Sequence, residues 1–477
     1  METSPSEPVN GRVNANGYPG LSAPAALSRD PRIQVLGLLR RFGTLTRADL
    51  AEHLGVTTAM IGEWIADLAH SRLVEDAGKG QSRGGRPPQR VTLAGGAAHA
   101  VGLDLSGWPV RGVVRDLVGR VQFEATLGPD DCLGSAPAAG PFLPEPTAGG
   151  EGSLALPPTS VVDIVRIAQV VIRRSGLPVE QVRAVGVALA GFVDTRRGTH
   201  RPEAVPGAAS IPLGSGAAER LGAPVLIEDM ARAAALAEAR DGAAAGIADL
   251  LFLSLGDRIG AALILDGNLY RGATGVVGEL GHVVVSEGGQ RCTCGNLGCV
   301  QAQASRSAIL RQVRDALAAG VVSTMSTIAP AGTDPELALD IETVVAAAAG
   351  GDRLAASVLR QAGQDVGRAL AAGANLLGPT MVVLGGYAPS LGEVFVDEVR
   401  RVLESYVVPP IWERMRVGVG VLGLDAAALG AAWGALDLLV ETGALVQSPG
   451  RRRLRRARRT KAAATGETAS ASAGQRR

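Results

Sequence analysis

The chain has 477 residues, with 47 basic and 46 acidic side chains and a formal charge of +1. That length fits two to four domains at roughly 100–200 residues each, and a hydrophobic fraction of 46% excludes global disorder, which needs low hydrophobicity and high net charge. Four cysteines are far too few for a disulfide scaffold.

Residues 1–30 are rich in Ser, Pro, Asn, Gly and Ala and predict a flexible arm. The opening METSPSEPVNGRV has no basic stretch leading into an apolar one, so no secretory signal is predicted. Helical periodicity starts at Pro31: Ile33, Leu36 and Leu39 share one face and Gly43 closes the segment. Thr46 and Asp49 are spaced as a capping box for RADLAEHL, which Gly55 ends. Thr57 or Thr58 then caps a third helix carrying Ile61, Ile65 and Leu68 on one face. Leu73 to Leu93 reads as strand, loop, strand, with KGQSRGGRPPQR as the loop.

Three helices and a basic two-stranded wing over residues 31–94 predict a winged helix-turn-helix that places its third helix in the major groove of double-stranded DNA. The wing's Lys79, Arg83, Arg86 and Arg90 can neutralise phosphates. A three-helix protein-interaction module is the plainer alternative. The exposed positions of the third helix are Thr57, Thr58, Ala59, Gly62 and Glu63. None is arginine, the common guanine reader, so modest base readout is expected, with much of the affinity in Arg83 and Arg86.

Residues 98–445 alternate strand-like runs (AVGLDL, VRAVGVAL, PVLIED, LLFLSL, AALILDG, MVVLGG) with Ala-rich helices, an α/β pattern. Insertions rich in Pro, Gly and Ala interrupt it at 128–160, which holds an isolated Cys132, and at Ser323–Pro335. The uncharged run Ala369–Gly392 is long enough to cross a bilayer. Its Asn375, Gly378-Pro379 and Gly385-Gly386 instead predict helix, turn, strand and loop, so no membrane association is expected. Residues 448–477 form a low-complexity tail opening with RRRLRRARRTK, either a nucleic-acid tether or a solvated end. Divided along the chain, the charge is +2 over 1–94, −10 over 95–447 and +9 over 448–477. An acidic central domain leaves DNA contact to the wing and the tail.

The most specific signal is GELGHVVVSEGGQRCTCGNLGCVQ. His282, Cys292, Cys294 and Cys299 offer one imidazole and three thiolates at a spacing suited to one tetrahedral, structural zinc. A disulfide or free buried thiols are the alternatives. This segment resembles the signature of the ROK family of bacterial repressors and sugar kinases, and the preceding winged helix resembles the repressor branch. The resemblance implies a two-lobed actin-like (RNase H-like) ATPase fold, a sugar site between the lobes, and a homodimer or homotetramer.

Several positions depart from the kinase pattern that the resemblance implies. Without gaps, EDMARAAALAE places Met230 on the catalytic Asp, with Asp229 and Arg232 on flanking Asn positions; a one-residue insertion before Glu238 would instead restore Asp229 as the base. The first phosphate loop has Trp108 for a small hydroxyl; the second, Gly256 to Gly260, carries Asp257 and Arg258. The expectation is therefore no catalytic residue and no ATP, with a sugar-like ligand held by Ser210, Asp229, Glu279, His282 and Gln301. Glu279 and His282 serving only the zinc fold is the alternative there. The functional expectation is a cytoplasmic, nucleoid-associated DNA-binding regulator of the repressor type that senses a small sugar. An ATP-dependent, glucokinase-like sugar kinase with an appended DNA module, and a regulator that binds no ligand, are the competing readings.

Overall fold

The computed structural model describes residues 30–79, 87–133, 160–202, 209–327 and 339–446. The expected arm, the wing loop with Arg83 and Arg86, most of the 128–160 insertion, the second insertion from 328 and the 448–477 tail lie outside the described residues. The chain divides into two compact units, Met1–Thr92 with Val440–Arg477, and Leu93–Leu439.

In the first unit α1 (Pro31–Phe42) is capped by Asp30, whose carboxylate accepts from the Arg32 amide. The strand β1 (Leu45–Thr46) leads into α2 (Arg47–Leu54), where Thr46 and Asp49 form the expected capping box and Gly55 takes the left-handed conformation. Thr57 rather than Thr58 caps α3 (Thr58–His70). The strands β2 (Val74–Lys79) and β3 (Gln89–Leu93) complete a sheet of order β1-β3-β2. Leu36, Leu39, Leu50, Ile61 and Leu68 are almost fully buried and form the small core, so each helix hides the face that its periodicity announces.

The second unit holds two five-stranded mixed sheets. The first uses β4 (His99–Asp104), β5 (Val110–Asp116), β6 (Val121–Leu127), β7 (Val182–Leu189) and β11 (Val225–Asp229) in the order β11-β7-β4-β5-β6. Along it lie α4 (Pro129–Leu133), α5 (Val161–Ser175), α6 (Leu213–Leu221) and a small sheet of β8 (Phe192–Asp194), β9 (Thr199–Arg201) and β10 (Ile211–Pro212). After α7 (Met230–Asp241), the second sheet uses β12 (Leu250–Leu255), β13 (Ile259–Leu265), β14 (Asn268–Leu269), β15 (Met381–Gly386) and β16 (Arg416–Val419), in the order β14-β13-β12-β15-β16. Its helices are α8 (Val300–Ala304), α9 (Arg306–Ala318), α10 (Ile341–Ala349), α11 (Arg353–Leu377), α12 (Gly392–Tyr406), α13 (Pro409–Trp412) and α14 (Ala426–Glu441).

In both sheets an antiparallel three-strand meander is extended by two parallel strands beside its first member, so one topology occurs twice. This is the duplicated two-lobed architecture that the family resemblance implies. A shared core of Val113 and Ala188 from one sheet, Phe252 and Val383 from the other, and alanines of α7 and α14 joins the two sheets. Closeness explains the Ala and Gly content: a Cβ on Gly186 would stand 1.9 Å from the Ala431 carbonyl, and one on Gly430 1.7 Å from that of Ala233. The segment Gly423–Glu441 is long and apolar enough to cross a membrane, but 72% of it is buried in this packing. The run Ala369–Gly392 becomes the end of α11, a left-handed Gly378, β15 and a turn, as expected.

Candidate effector cleft and metal cluster

The end of β11 runs straight into α7, and this turn sets one wall of a cleft. Asp229 is the N-cap of α7, its carboxylate accepting from the Arg232 amide at 3.0 Å. Burial pushes its carboxyl up to about 6, against the pull of Arg232. Met230, the residue aligned with a kinase base, turns its thioether to the Ser254 hydroxyl at 3.4 Å. A thioether is a weak acceptor and cannot take up a proton.

Around this turn lies an open cavity lined by Asp229, Met230, Arg258, Glu279, His282 and Gln301, among others. Four of the five expected ligand residues therefore converge on one wall. Ser210, beside β10, is exposed and is not part of that wall. Gln301 is 8% exposed, accepts from the Ile259 amide at 3.2 Å and donates to the Thr293 hydroxyl at 3.4 Å. Its amide ties the start of β13 to Thr293, and the residue also lines the cavity.

Beneath the cleft is a network that the sequence does not announce. Arg232, 1% exposed, donates from Nε to Glu228 Oε1 at 2.7 Å, and from its terminal nitrogens to the Val193 and Gly275 carbonyls. Arg271 Nε and the Thr195 hydroxyl complete the Glu228 carboxylate. Burial alone would raise the Glu228 carboxyl, but Arg271 and Arg232 hold it below the ordinary value. Arg232 thus occupies a family Asn position as a structural cation.

The two segments expected as phosphate loops are held by contacts within the chain. Asp257 receives two hydrogen bonds from Arg306, at 3.0 and 2.7 Å, and the same guanidinium lies over the Tyr387 ring. In the first loop Asp104 accepts from the Ser106 amide, and Trp108 packs against the first sheet's core. Cys132 is buried in that core, which pushes its thiol up to about 11 and suits a bystander.

His282, which lines the cavity, joins Cys292, Cys294 and Cys299 in presenting donor atoms that all lie within 4.8 Å of one another. Cys292 Sγ is 3.6 Å from His282 Nδ1, and Cys294 Sγ is 3.7 Å from Cys299 Sγ. Four donors about 2.0–2.3 Å from a tetrahedral zinc would stand about 3.4–3.8 Å apart, so donor set and spacing fit that ion. Gly298 makes the convergence possible: its φ is 74°, and a Cβ there would stand 1.7 Å from the Ser286 carbonyl. Burial and the neighbouring thiols push Cys299 up to about 12, while hydrogen bonds from Cys294 and His282 overcome burial and lower Cys292. His282 Nε2, away from the thiols, lies 3.7 Å from Glu279 Oε2.

In the N-terminal unit, Thr57, Thr58, Ala59 and Glu63 are exposed on α3 and Gly62 is half-buried. All five expected α3 positions therefore share one accessible stretch of helix.

The repeated sheet topology and the cleft between sheet ends define a two-lobed α/β protein built like a sugar kinase. The chain belongs to the ROK family, whose model matches residues 155–437. It is similar to a glucokinase from Halalkalibacterium halodurans, 30% identical over 250 residues that cover 52% of this chain and 74% of that one. It is also similar to the DNA-binding transcriptional repressor Mlc of Escherichia coli, 26% identical over 402 residues that cover 83% and 91%. A solved ROK family transcriptional regulator, described as a homolog of the E. coli protein, superposes with a TM-score of 0.68 at 23% identity over 87% of this chain and 97% of that one.

Proposed function

We propose that this protein is a transcriptional repressor that binds double-stranded DNA through its N-terminal unit and senses a small sugar in a cleft that does not phosphorylate it. The observation that carries this reading is the extent of similarity. The 402 residues shared with Mlc are more than Leu93–Leu439 contains, so they reach into the N-terminal unit, whereas the glucokinase similarity covers 250.

The proposed organisation is a 1–30 arm, a winged helix-turn-helix over 31–94, a sensing domain over 98–445 interrupted at 128–160, and a basic tail over 448–477. In the first of these folded parts α3 would enter the major groove, presenting Thr57, Thr58, Ala59, Gly62 and Glu63, while Arg83 and Arg86 of the wing neutralise phosphates. A homodimer or homotetramer would hold two such units on half-sites about one helical turn apart. The sugar-facing set is Asp229, Glu279, His282 and Gln301, which line the cavity, while Ser210 lies outside that lining. Sugar binding would favour one arrangement of the lobes, and so of the paired DNA units, by its differential affinity for the two. The four-donor cluster would hold a structural zinc, which leaves no open position for an activated water. The protein acts in the cytoplasm, with no membrane partner.

Met230 without a titratable group, Asp257 closed by Arg306, and Trp108 against the core support the absence of kinase chemistry. The glucokinase similarity favours the alternative, an active sugar kinase, and a coupled ADP-release assay separates the two. Selection of bound duplexes from a randomised DNA library by the full chain tests the proposal itself. Enrichment of a two-fold symmetric site is expected; no enrichment contradicts it.

A further inference from the structure

The exposed face of α3 carries no arginine of its own, but one reaches it from α2. Arg47 is the first residue of α2, is exposed, and makes no ion pair among the described residues. Its Nη1 lies 3.7 Å from the place a Cβ on Gly62 would take, an ordinary van der Waals separation. The guanidinium therefore lies against the first turns of α3 at Gly62, a residue adjacent in sequence to Glu63 and one helical turn from Thr58 and Ala59.

Neither residue is there for local stability. A cation in the first turn of a helix is opposed by the positive end of the helix dipole. Glycine in a helix interior is less favourable than alanine. Gly62 is flanked at helical spacing by Thr58 and Ala66, so this stripe of α3 is low, and Arg47 stands over it. A guanidinium at that height offers the planar pair of donors that matches guanine O6 and N7 in the major groove.

We infer that Arg47, reaching across Gly62, is a guanine-reading residue of the DNA interface and sets sequence preference at one base pair of each half-site. The inference rests on the DNA-binding reading above. It is tested by repeating the duplex selection with full-length R47A, R47K and G62L. Affinities are then compared on the wild-type duplex and on one with the guanine replaced.

R47A is expected to weaken binding to the wild-type duplex about 10- to 100-fold and to lose discrimination at that base pair alone. R47K, which keeps the charge but not the fork, is expected to lose the same discrimination, and G62L to mimic R47A by displacing the guanidinium. If R47A selects the same sequence with the same discrimination, Arg47 is at most a phosphate contact and the inference fails while the repressor reading stands. If the wild-type chain enriches no sequence, both fail.

Discussion

His282 Nε2 lies 3.7 Å from Glu279 Oε2, while Nδ1 of the same ring faces Cys292 Sγ at 3.6 Å. One imidazole thus joins the thiol cluster to the cleft wall, and Glu279 is placed to fix its tautomer, as carboxylates do behind metal-bound histidines. The purified chain should hold one zinc. Glu279→Ala should lower zinc affinity about tenfold in competition with a chromophoric chelator, and Cys292→Ser should remove stoichiometric binding. Equal affinity in wild type and Glu279→Ala would show that the carboxylate does not support the ring.

The proposed absence of kinase chemistry rests on three separate places, so changing one of them should not produce it. Met230→Asp should leave ADP release with common hexoses at the background of the wild-type chain, because the Arg306–Asp257 pair still fills the second loop and Trp108 still replaces a small hydroxyl in the first. Steady turnover by that single variant would mean that both loops remain competent for phosphate.

The buried Arg232–Glu228 pair should matter for stability, unlike the exposed Arg306–Asp257 pair. Removing one member of a buried pair leaves a desolvated charge at a cost of about 3 kcal/mol or more. An exposed pair is worth up to about 1 kcal/mol. In urea denaturation, Arg232→Ala should lower the midpoint clearly and Arg306→Ala barely. The opposite ranking would show that Arg271 and Thr195 alone satisfy Glu228.

Much of this was legible in advance, and what was not has physical reasons. The six apolar strand runs and the cysteine cluster are local in sequence, so period and spacing report them. The strands β5 and β6 escaped because Arg115 and Asp116 are buried within one and the other is an alternating edge strand. The cleft network escaped because its contacts are distant in sequence: Arg232 meets Val193 across 39 residues, and Arg306 meets Asp257 across 49. In the sequence Asp257 is only a departure from a glycine loop; the fold supplies its partner, Arg306. Gln301 read only as a ligand group; in the fold it lines the cavity and also bonds the Ile259 amide and the Thr293 hydroxyl, contacts 42 and 8 residues away.

Acid should act on the second sheet's lobe through Asp352, which caps α11 and also accepts from Thr324 and Ser323. Burial alone would raise its carboxyl, but these hydrogen bonds lower it from 3.8 to about 2. A depressed carboxyl contributes stability that is complete above its unfolded value, near pH 4, and is lost as pH falls toward 2. Asp352→Asn should therefore cost about 2 kcal/mol at pH 7, with the gap to wild type narrowing by pH 3 in urea titrations. A gap independent of pH would place the stabilisation elsewhere.

The central claim is that a kinase-like cleft controls a DNA-binding unit. Fluorescence anisotropy of the selected duplex, titrated with full-length protein with and without each of a panel of pentoses, hexoses and amino sugars, tests it most directly. Tight binding to that duplex over a scrambled one is expected, weakened by at least one sugar, with the sugar recovered unphosphorylated when ATP is present. Binding to both duplexes alike, or conversion of the sugar to its phosphate, would contradict it.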